Sequence, residues 1–497
     1  MNYRVLMVTS EFFPLAKAGG LADAVADLSA ALADRGNEVR VVMPRYYFVD
    51  RQGLERLPVE LNLEPEGEIP LYAWRIHTAT TEICVYLIDC EAAFGRDGIY
   101  TDETGAAFAD NAWRFSLLSR AALELPRALG WKPNVFHLHD WQAGLLPAYL
   151  REPPYAGWFA EARTVFTIHN LGYQGVFPFN DVAQLRLEPE TVLNTGLLTG
   201  DRINFLRCAV KTASVLTTVS PTYAREILDP GFGSGLNTEL RARGDGIRGV
   251  LNGINYDVWD PAEDPLLPLP FDERSLENKA LLARVLRWYV GLPQAEGVPL
   301  IGMVTRMVEQ KGFDELLLRE DPALVRILTR QTCQVVMLGS GPARRERRLH
   351  QLAASFSNLS VITGFDNRLA HLIEGASDFF LMPSRYEPCG LNQMYSMRYG
   401  TIPIVTRTGG LADTVGDIQE DPEGGTGYLI PRCASRDIFD TVSRALEDYR
   451  TRPKLIRELR LRGMARRFSW EEAARAYEQA YDAAGAGAYF DTRGVPG

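Results

Sequence analysis

The chain has 497 residues, more than the roughly 250–300 at which a single core stops growing, so two domains are expected. With 46% hydrophobic and 23% charged residues it has the composition of an ordinary soluble globular protein. A net charge of −10 argues against a general affinity for nucleic acid or an anionic membrane, while leaving room for a local basic pocket.

The chain opens on a short apolar strand, Val5-Leu6-Met7-Val8, that stops at Thr9-Ser10-Glu11. It is too short for a signal peptide or a membrane span. The six cysteines (Cys84, Cys90, Cys208, Cys333, Cys389 and Cys433) are scattered, with no Cys-x-x-Cys pair, and read as free thiols in a reducing compartment. A cytoplasmic location is therefore expected.

Further β-branched apolar runs follow at 39–43, 83–88, 135–138, 165–168 and 215–219, then at 300–304, 335–338, 359–362, 379–382 and 402–405. Helix-length amphipathic segments separate them, which is the pattern of βαβ units around parallel sheets. A break near 255–297 carries Pro261, Pro265, Pro268, Pro270 and Pro293 around one helical stretch. The expected division is an N-terminal Rossmann-like domain over 1–255, an interdomain connection over 256–297, a second Rossmann-like domain over 298–469, and a terminal helix and tail over 470–497 that packs back on the first domain.

One pentapeptide occurs twice, as Gly19-Gly20-Leu21-Ala22-Asp23 and Gly409-Gly410-Leu411-Ala412-Asp413. Each copy follows a strand-like run and opens a helix. Such a start leaves backbone N–H groups unpaired at the positive end of the helix dipole, a seat for a phosphate or a polar sugar. Ligands of open α/β sheets bind beyond the carboxyl ends of the strands. Lys17, Asp140, His169 with Asn170, Arg306, Gly364 with Phe365, and Glu387 all stand at such ends.

Arg306 and Lys311, on one strand-to-helix loop, suit a diphosphate or are two solvated surface charges. Glu387, ahead of the small residues Cys389 and Gly390, suits sugar hydroxyls or is a capping charge. His137-Leu138-His139-Asp140 has the look of a metal cluster, yet no further ligands accompany it at metal spacing, so a sugar-contacting Asp140 beside structural histidines is preferred. Walker-type, dinucleotide-type and nucleophile-elbow motifs are absent, which counts against kinases, dehydrogenases and serine hydrolases.

In their order and spacing these blocks, from Ser10-Glu11-Phe12-Phe13-Pro14 and Lys17-Ala18-Gly19-Gly20 through His139-Asp140-Trp141, Thr167-Ile168-His169-Asn170, Leu251-Asn252-Gly253, Arg306, Gln310-Lys311-Gly312, Arg385-Tyr386-Glu387-Pro388-Cys389-Gly390-Leu391 and Arg407-Thr408-Gly409-Gly410, resemble the bacterial glycogen synthases and plant starch synthases. The resemblance implies an α/β protein with two facing Rossmann-like domains (the GT-B type) and a deep interdomain cleft. It also implies retaining transfer of glucose from ADP-glucose to the non-reducing end of an α-1,4-glucan. No metal or cofactor is expected, since the sequence shows no evident metal-ligand set.

By the same resemblance, Lys17 and Gly20 lie near the donor phosphates and sugar, and Arg306 and Lys311 hold the diphosphate. Glu387 and the N–H groups of Cys389, Gly390 and Leu391 grip glucose. Asp140, His169, Asn170 and Asn252 line the sugar and acceptor side, Asp23 and Tyr100 support it, and Thr408 joins the substrate contacts. Phe365 stacks on adenine or is a core residue. One departure stands out: where wider two-lobed glycosyltransferases carry a second glutamate, this chain has Tyr395. A UDP-glucose-using enzyme, a glucan phosphorylase and a non-catalytic glucan-binding protein are the alternatives.

Overall fold

The computed structural model describes residues 2–243 and 246–486, which divide into two compact units. Unit 1 contains residues up to Val219, Ala224–Gly253 and the chain from Trp470; unit 2 contains Ser220–Tyr223 and Ile254–Ser469.

The sheet of unit 1 is built from β1 (Arg4–Val8), β2 (Glu38–Pro44), β3 (Glu55–Leu63), β4 (Gly67–His77), β5 (Glu82–Ile88), β6 (Val135–His139) and β7 (Arg163–Ile168). A small antiparallel sheet of β8 (Val176–Pro178), β9 (Leu198–Thr199) and β10 (Arg202–Asn204) follows, and β11 (Val215–Thr218) and β12 (Ile247–Gly249) complete the large one. Its order is β12-β11-β7-β6-β1-β2-β5-β4-β3, parallel from β12 to β5 and antiparallel through β4 and β3. The parallel strands are apolar on both faces because helices cover both; all five residues of β6 are buried, its two histidines included.

Helix Gly20–Asp34 presents Leu21, Val25, Leu28 and Leu32, at helical spacing, to that core. The helix from Trp470 belongs to this unit as well: Arg35 pairs with its Glu478 at 2.7 Å, and its Tyr481 hydroxyl lies 2.9 Å from His137 Nδ1.

Unit 2 carries β13 (Leu300–Val304), β14 (Gln334–Gly339), β15 (Leu359–Thr363), β16 (Phe379–Met382), β17 (Ile402–Thr406) and β18 (Tyr428–Ile430). They form a wholly parallel sheet in the order β15-β14-β13-β16-β17-β18, the doubly wound arrangement of a Rossmann fold. One continuous core joins Ile301, Val335, Phe379 and Ile404 of the strands to Leu316, Leu324 and Ile438 of the helices.

The stretch 256–297 is built into unit 2. Helix Asn278–Tyr289 buries the Lys279 ammonium, which donates to the carbonyls of Gly375 (2.7 Å) and Tyr399 (2.8 Å) and to the Thr401 hydroxyl (2.8 Å). Proline-rich chain thus belongs to a domain surface here, because its helix supplies the partners that neighbouring backbone carbonyls need.

Candidate active site

In unit 1 the winding direction reverses between β1 and β6, so the loops leaving these strands part to opposite sides and leave a crevice beyond the carboxyl edge. The Glu11 carboxylate, just past β1, is buried and accepts the N–H groups of Ala18 (2.6 Å) and Gly19 (3.0 Å) on one oxygen. Its other oxygen accepts the Tyr100 hydroxyl at 2.6 Å. The N–H groups ahead of helix Gly20–Asp34, expected to stand open for a ligand, are thus already engaged by an internal anion. Burial raises the pKa of Glu11, and these hydrogen bonds oppose the rise.

The motif pattern alone assigns Glu11 no role; its signal in the sequence is a carboxylate at the end of a buried strand beside a glycine turn. Past the turn, Lys17 Nζ pairs with Asp23 at 2.7 Å in a half-exposed position, and Gly20 is the first helical residue.

Asp140 follows β6 with φ of 57°, the left-handed region that a non-glycine residue occupies only when its surroundings hold it there. Its Oδ1 accepts the N–H groups of His169 (2.7 Å) and Asn170 (3.3 Å) at the end of β7. Burial pushes its carboxyl up to about 7. Asp140 Oδ1 thus ties two strand-end loops together.

His169 Nε2 lies 3.0 Å from His139 Nδ1, and the His139 ring lies 4.3 Å from that of His137. Desolvation lowers all three imidazoles, His137 and His169 to about 3. They form a neutral hydrogen-bonded stack under the loop, extended by His137 Nε2 to Thr167 Oγ1 at 2.7 Å. Asn170 accepts the Gly172 N–H (3.0 Å), and Asn252 is buried beyond β12.

In unit 2 the reversal falls between β13 and β16. Arg306 is exposed at the exit of β13, with Nη2 3.5 Å from Gln310 Oε1. Lys311 Nζ contacts Glu387 Oε2, and the Ser384 hydroxyl donates to the same oxygen at 3.0 Å. Both partners are largely shielded, with side chains 17% and 7% exposed. Sequence spacing alone could not join two residues this far apart; adjacency of β13 and β16 does.

Glu387 leads into Cys389, Gly390 and Leu391 ahead of helix Asn392–Arg398. Gln393, which the sequence did not single out, fixes this loop by donating to the carbonyls of Cys389 (3.2 Å) and Gly390 (3.0 Å).

The second copy of the pentapeptide does not form an open seat. Gly410 N–H donates to the Glu387 carbonyl at 3.0 Å. A Cβ on Gly409 would stand 1.9 Å from that carbonyl oxygen, and one on Gly410 2.1 Å from that of Cys389. These glycines let the backbone after the buried Thr408 press against the Glu387 loop. Asp413, unlike Asp23, accepts the N–H (2.8 Å) and hydroxyl (2.7 Å) of Thr222. The same five residues thus have different roles in the two units.

Phe365 follows β15 with 80% of its surface exposed, which excludes the core alternative and leaves its ring available for stacking.

Residues 4–242 match the family model "Starch synthase catalytic domain", and residues 290–462 match "Glycosyl transferases group 1". The glycogen synthase of Treponema denticola is 43% identical over 481 residues, covering 96% of this chain and 98% of the relative. That of Anaeromyxobacter dehalogenans strain 2CP-1 is 44% identical over 485 residues, covering 96% and 98%. The catalytic domain of starch synthase IV from Arabidopsis thaliana, solved bound to ADP and acarbose, superposes with a TM-score of 0.87 at 30% identity, covering 98% of this chain and 100% of that one. No helix among the described residues is long and apolar enough to cross a membrane.

Proposed function

The chain belongs to the glycogen synthase family, and from that premise we propose that it transfers glucose from ADP-glucose to the non-reducing end of an α-1,4-glucan, releasing ADP with retention at the anomeric carbon. It is a glycosyltransferase of the two-domain α/β GT-B type. The choice of ADP is supported by the nucleotide bound to the Arabidopsis starch synthase.

The observation that carries the proposal is the Lys311–Glu387 pair at the reversal point of the unit 2 sheet, with Arg306 exposed on the adjoining strand end. A lysine ammonium has three N–H bonds; one directed to Glu387 leaves two for a diphosphate oxygen. Arg306 adds a planar fork suited to the same group. Glu387, oriented by Lys311 and Ser384, accepts hydrogen bonds from glucose hydroxyls, and the N–H groups of Cys389, Gly390 and Leu391 donate to others. In unit 1, Lys17 and Gly20 serve the donor, while Asp140, through the loop it ties together, and His169, Asn170 and Asn252 shape the acceptor side. Asp23 and Tyr100 hold Lys17 and Glu11 in place.

Chemistry then follows from charge. The bond between glucose C1 and the diphosphate oxygen breaks with its electron pair leaving on that oxygen, and fixed cations stabilise the charge as it develops. The acceptor hydroxyl attacks C1 on the face the diphosphate is leaving, and its proton passes to the departing oxygen. No enzyme carboxylate becomes glycosylated in this sequence.

The test is incorporation of radiolabelled glucose into glycogen from ADP-glucose and, in parallel, from UDP-glucose. Transfer from ADP-glucose with the greater kcat/KM is expected. Faster transfer from UDP-glucose would overturn the donor assignment, and transfer from neither would overturn the activity.

A further inference from the structure

Helix Ala343–Ser355 carries arginines at 344, 345, 347 and 348, all within its first two turns. Cations so placed oppose the positive end of the helix dipole, and like charges three and four residues apart repel. Arg345 is neutralised by Asp314 at 2.8 Å. Arg344, Arg347 and Arg348 have no carboxylate within ion-pairing distance among the described residues, in a chain whose net charge is −10.

All three line one groove of about 570 Å³, together with Arg319. Leu318 and Val325 supply an apolar wall, and Glu320 is the one acidic residue of the lining. The groove is open to solvent, with Arg319, Arg344 and Arg347 exposed along it. The groove lies at the opposite end of the short helix Phe313–Leu317 from Lys311, away from the residues assigned to the donor.

We propose that this groove binds the phosphoryl dianion of a small metabolite, with Arg344, Arg347 and Arg348 as the anion ligands. Guanidinium forks match phosphoryl oxygens in pairs, which offsets the repulsion the helix otherwise bears. The wall of Leu318 and Val325 accepts an organic body, so the anion arrives as an ester or as free phosphate.

The test is calorimetric titration of the full chain at low ionic strength with inorganic phosphate and, separately, with glucose 6-phosphate. Three proteins are compared: the wild type, the triple variant Arg344→Ser/Arg347→Ser/Arg348→Ser, and Lys311→Gln. Wild type and Lys311→Gln are expected to bind at least one probe. The triple variant is expected to bind at least tenfold more weakly, since it loses charge-assisted hydrogen bonds.

Tighter binding of the ester identifies an ester site, and equal binding identifies a free-phosphate site; both support the proposal. Failure of wild type to bind either probe at up to about 10 mM would overturn it. So would undiminished binding by the triple variant, and so would loss of binding in Lys311→Gln alone, which places the anion at the donor residues. The triple variant relieves repulsion and is expected to melt no lower than wild type. The single variant Arg347→Glu repeats the comparison with a smaller change.

Discussion

Trp259 and Tyr395 stack face to face in unit 2, with ring centroids 3.8 Å apart and planes within 8°. The other face of Trp259 is covered by His371 at 3.9 Å, and Asp264 accepts a hydrogen bond from His371 Nδ1 at 2.8 Å. The position where wider two-lobed glycosyltransferases carry a second glutamate is therefore part of an aromatic stack, and that stack fastens the segment after Gly253 to the body of unit 2. Tyr395→Ala is expected to lower stability by about 3–5 kcal/mol, the range for deleting a buried aromatic ring, and Tyr395→Phe by no more than about 1.5 kcal/mol. Urea denaturation followed by tryptophan fluorescence measures both; equal stability of the alanine variant and wild type would refute the fastening role.

Lys311 and Arg306 are assigned to one diphosphate, yet they differ in what else they support. Either alanine substitution is expected to reduce kcat by about 10²–10³, the usual effect of removing one preorganised donor to a developing charge. Arg306 is exposed, so Arg306→Ala leaves stability within about 0.5 kcal/mol of wild type. Lys311→Ala strands the buried Glu387 carboxylate and lowers stability by about 3–5 kcal/mol. Adding Glu387→Gln recovers most of that stability and none of the activity. Steady-state kinetics and denaturation of the four proteins separate the two effects.

Strand positions were legible because a parallel sheet covered on both faces demands continuous apolar runs: 300–304 and 379–382 coincide with β13 and β16. The hairpin of β3 and β4 was not, since both strands mix exposed charged residues with buried ones and contain Pro58 and Pro70. Residue types at the candidate site were legible as motif blocks, and so was the lodging of Lys17, Asp140, Arg306 and Glu387 at strand ends. What each one touches was not. The repeated pentapeptide shows why: Gly19 has open space around it, while Gly409 and Gly410 are pressed against the Glu387 loop, and only the fold distinguishes a turn that faces outward from one that packs.

The neutral histidine stack gives unit 1 a defined response to acid. His137 and His169 have folded pKa values near 3 against an unfolded value near 6.5, so the unfolded chain binds more protons between those limits. Their contribution to stability is complete above pH 6.5 and is lost as pH falls towards 3, at about 1.4 kcal/mol per pH unit for each imidazole. Asp140 has the opposite sign: with its pKa raised to about 7, its contribution is complete below pH 4 and fades as pH rises through 7. Denaturation at pH 7, 6 and 5 is expected to show stability falling with acid in wild type, with a slope shallower by about 1.4 kcal/mol per pH unit in His137→Gln. An unchanged slope would mean that His137 is not held neutral by burial.

Phe365 has 80% of its surface exposed beside Gly364, whose φ of 113° sets the turn that carries the ring outward from β15. The proposed role of this exposed ring is to stack on the nucleobase of the donor. Stacking of a nucleobase on an aromatic side chain contributes about 1–3 kcal/mol, which corresponds to roughly a 5- to 150-fold change in affinity. Phe365→Ala is therefore expected to weaken ADP binding within that range, Phe365→Trp to preserve it, and neither to shift the melting temperature, since the ring contributes little to the core. Calorimetric titration with ADP decides the matter, and titration with inorganic pyrophosphate serves as the control. A loss confined to ADP assigns the ring to the base, whereas an equal loss for pyrophosphate assigns the effect to the diphosphate residues and removes Phe365 from nucleotide recognition.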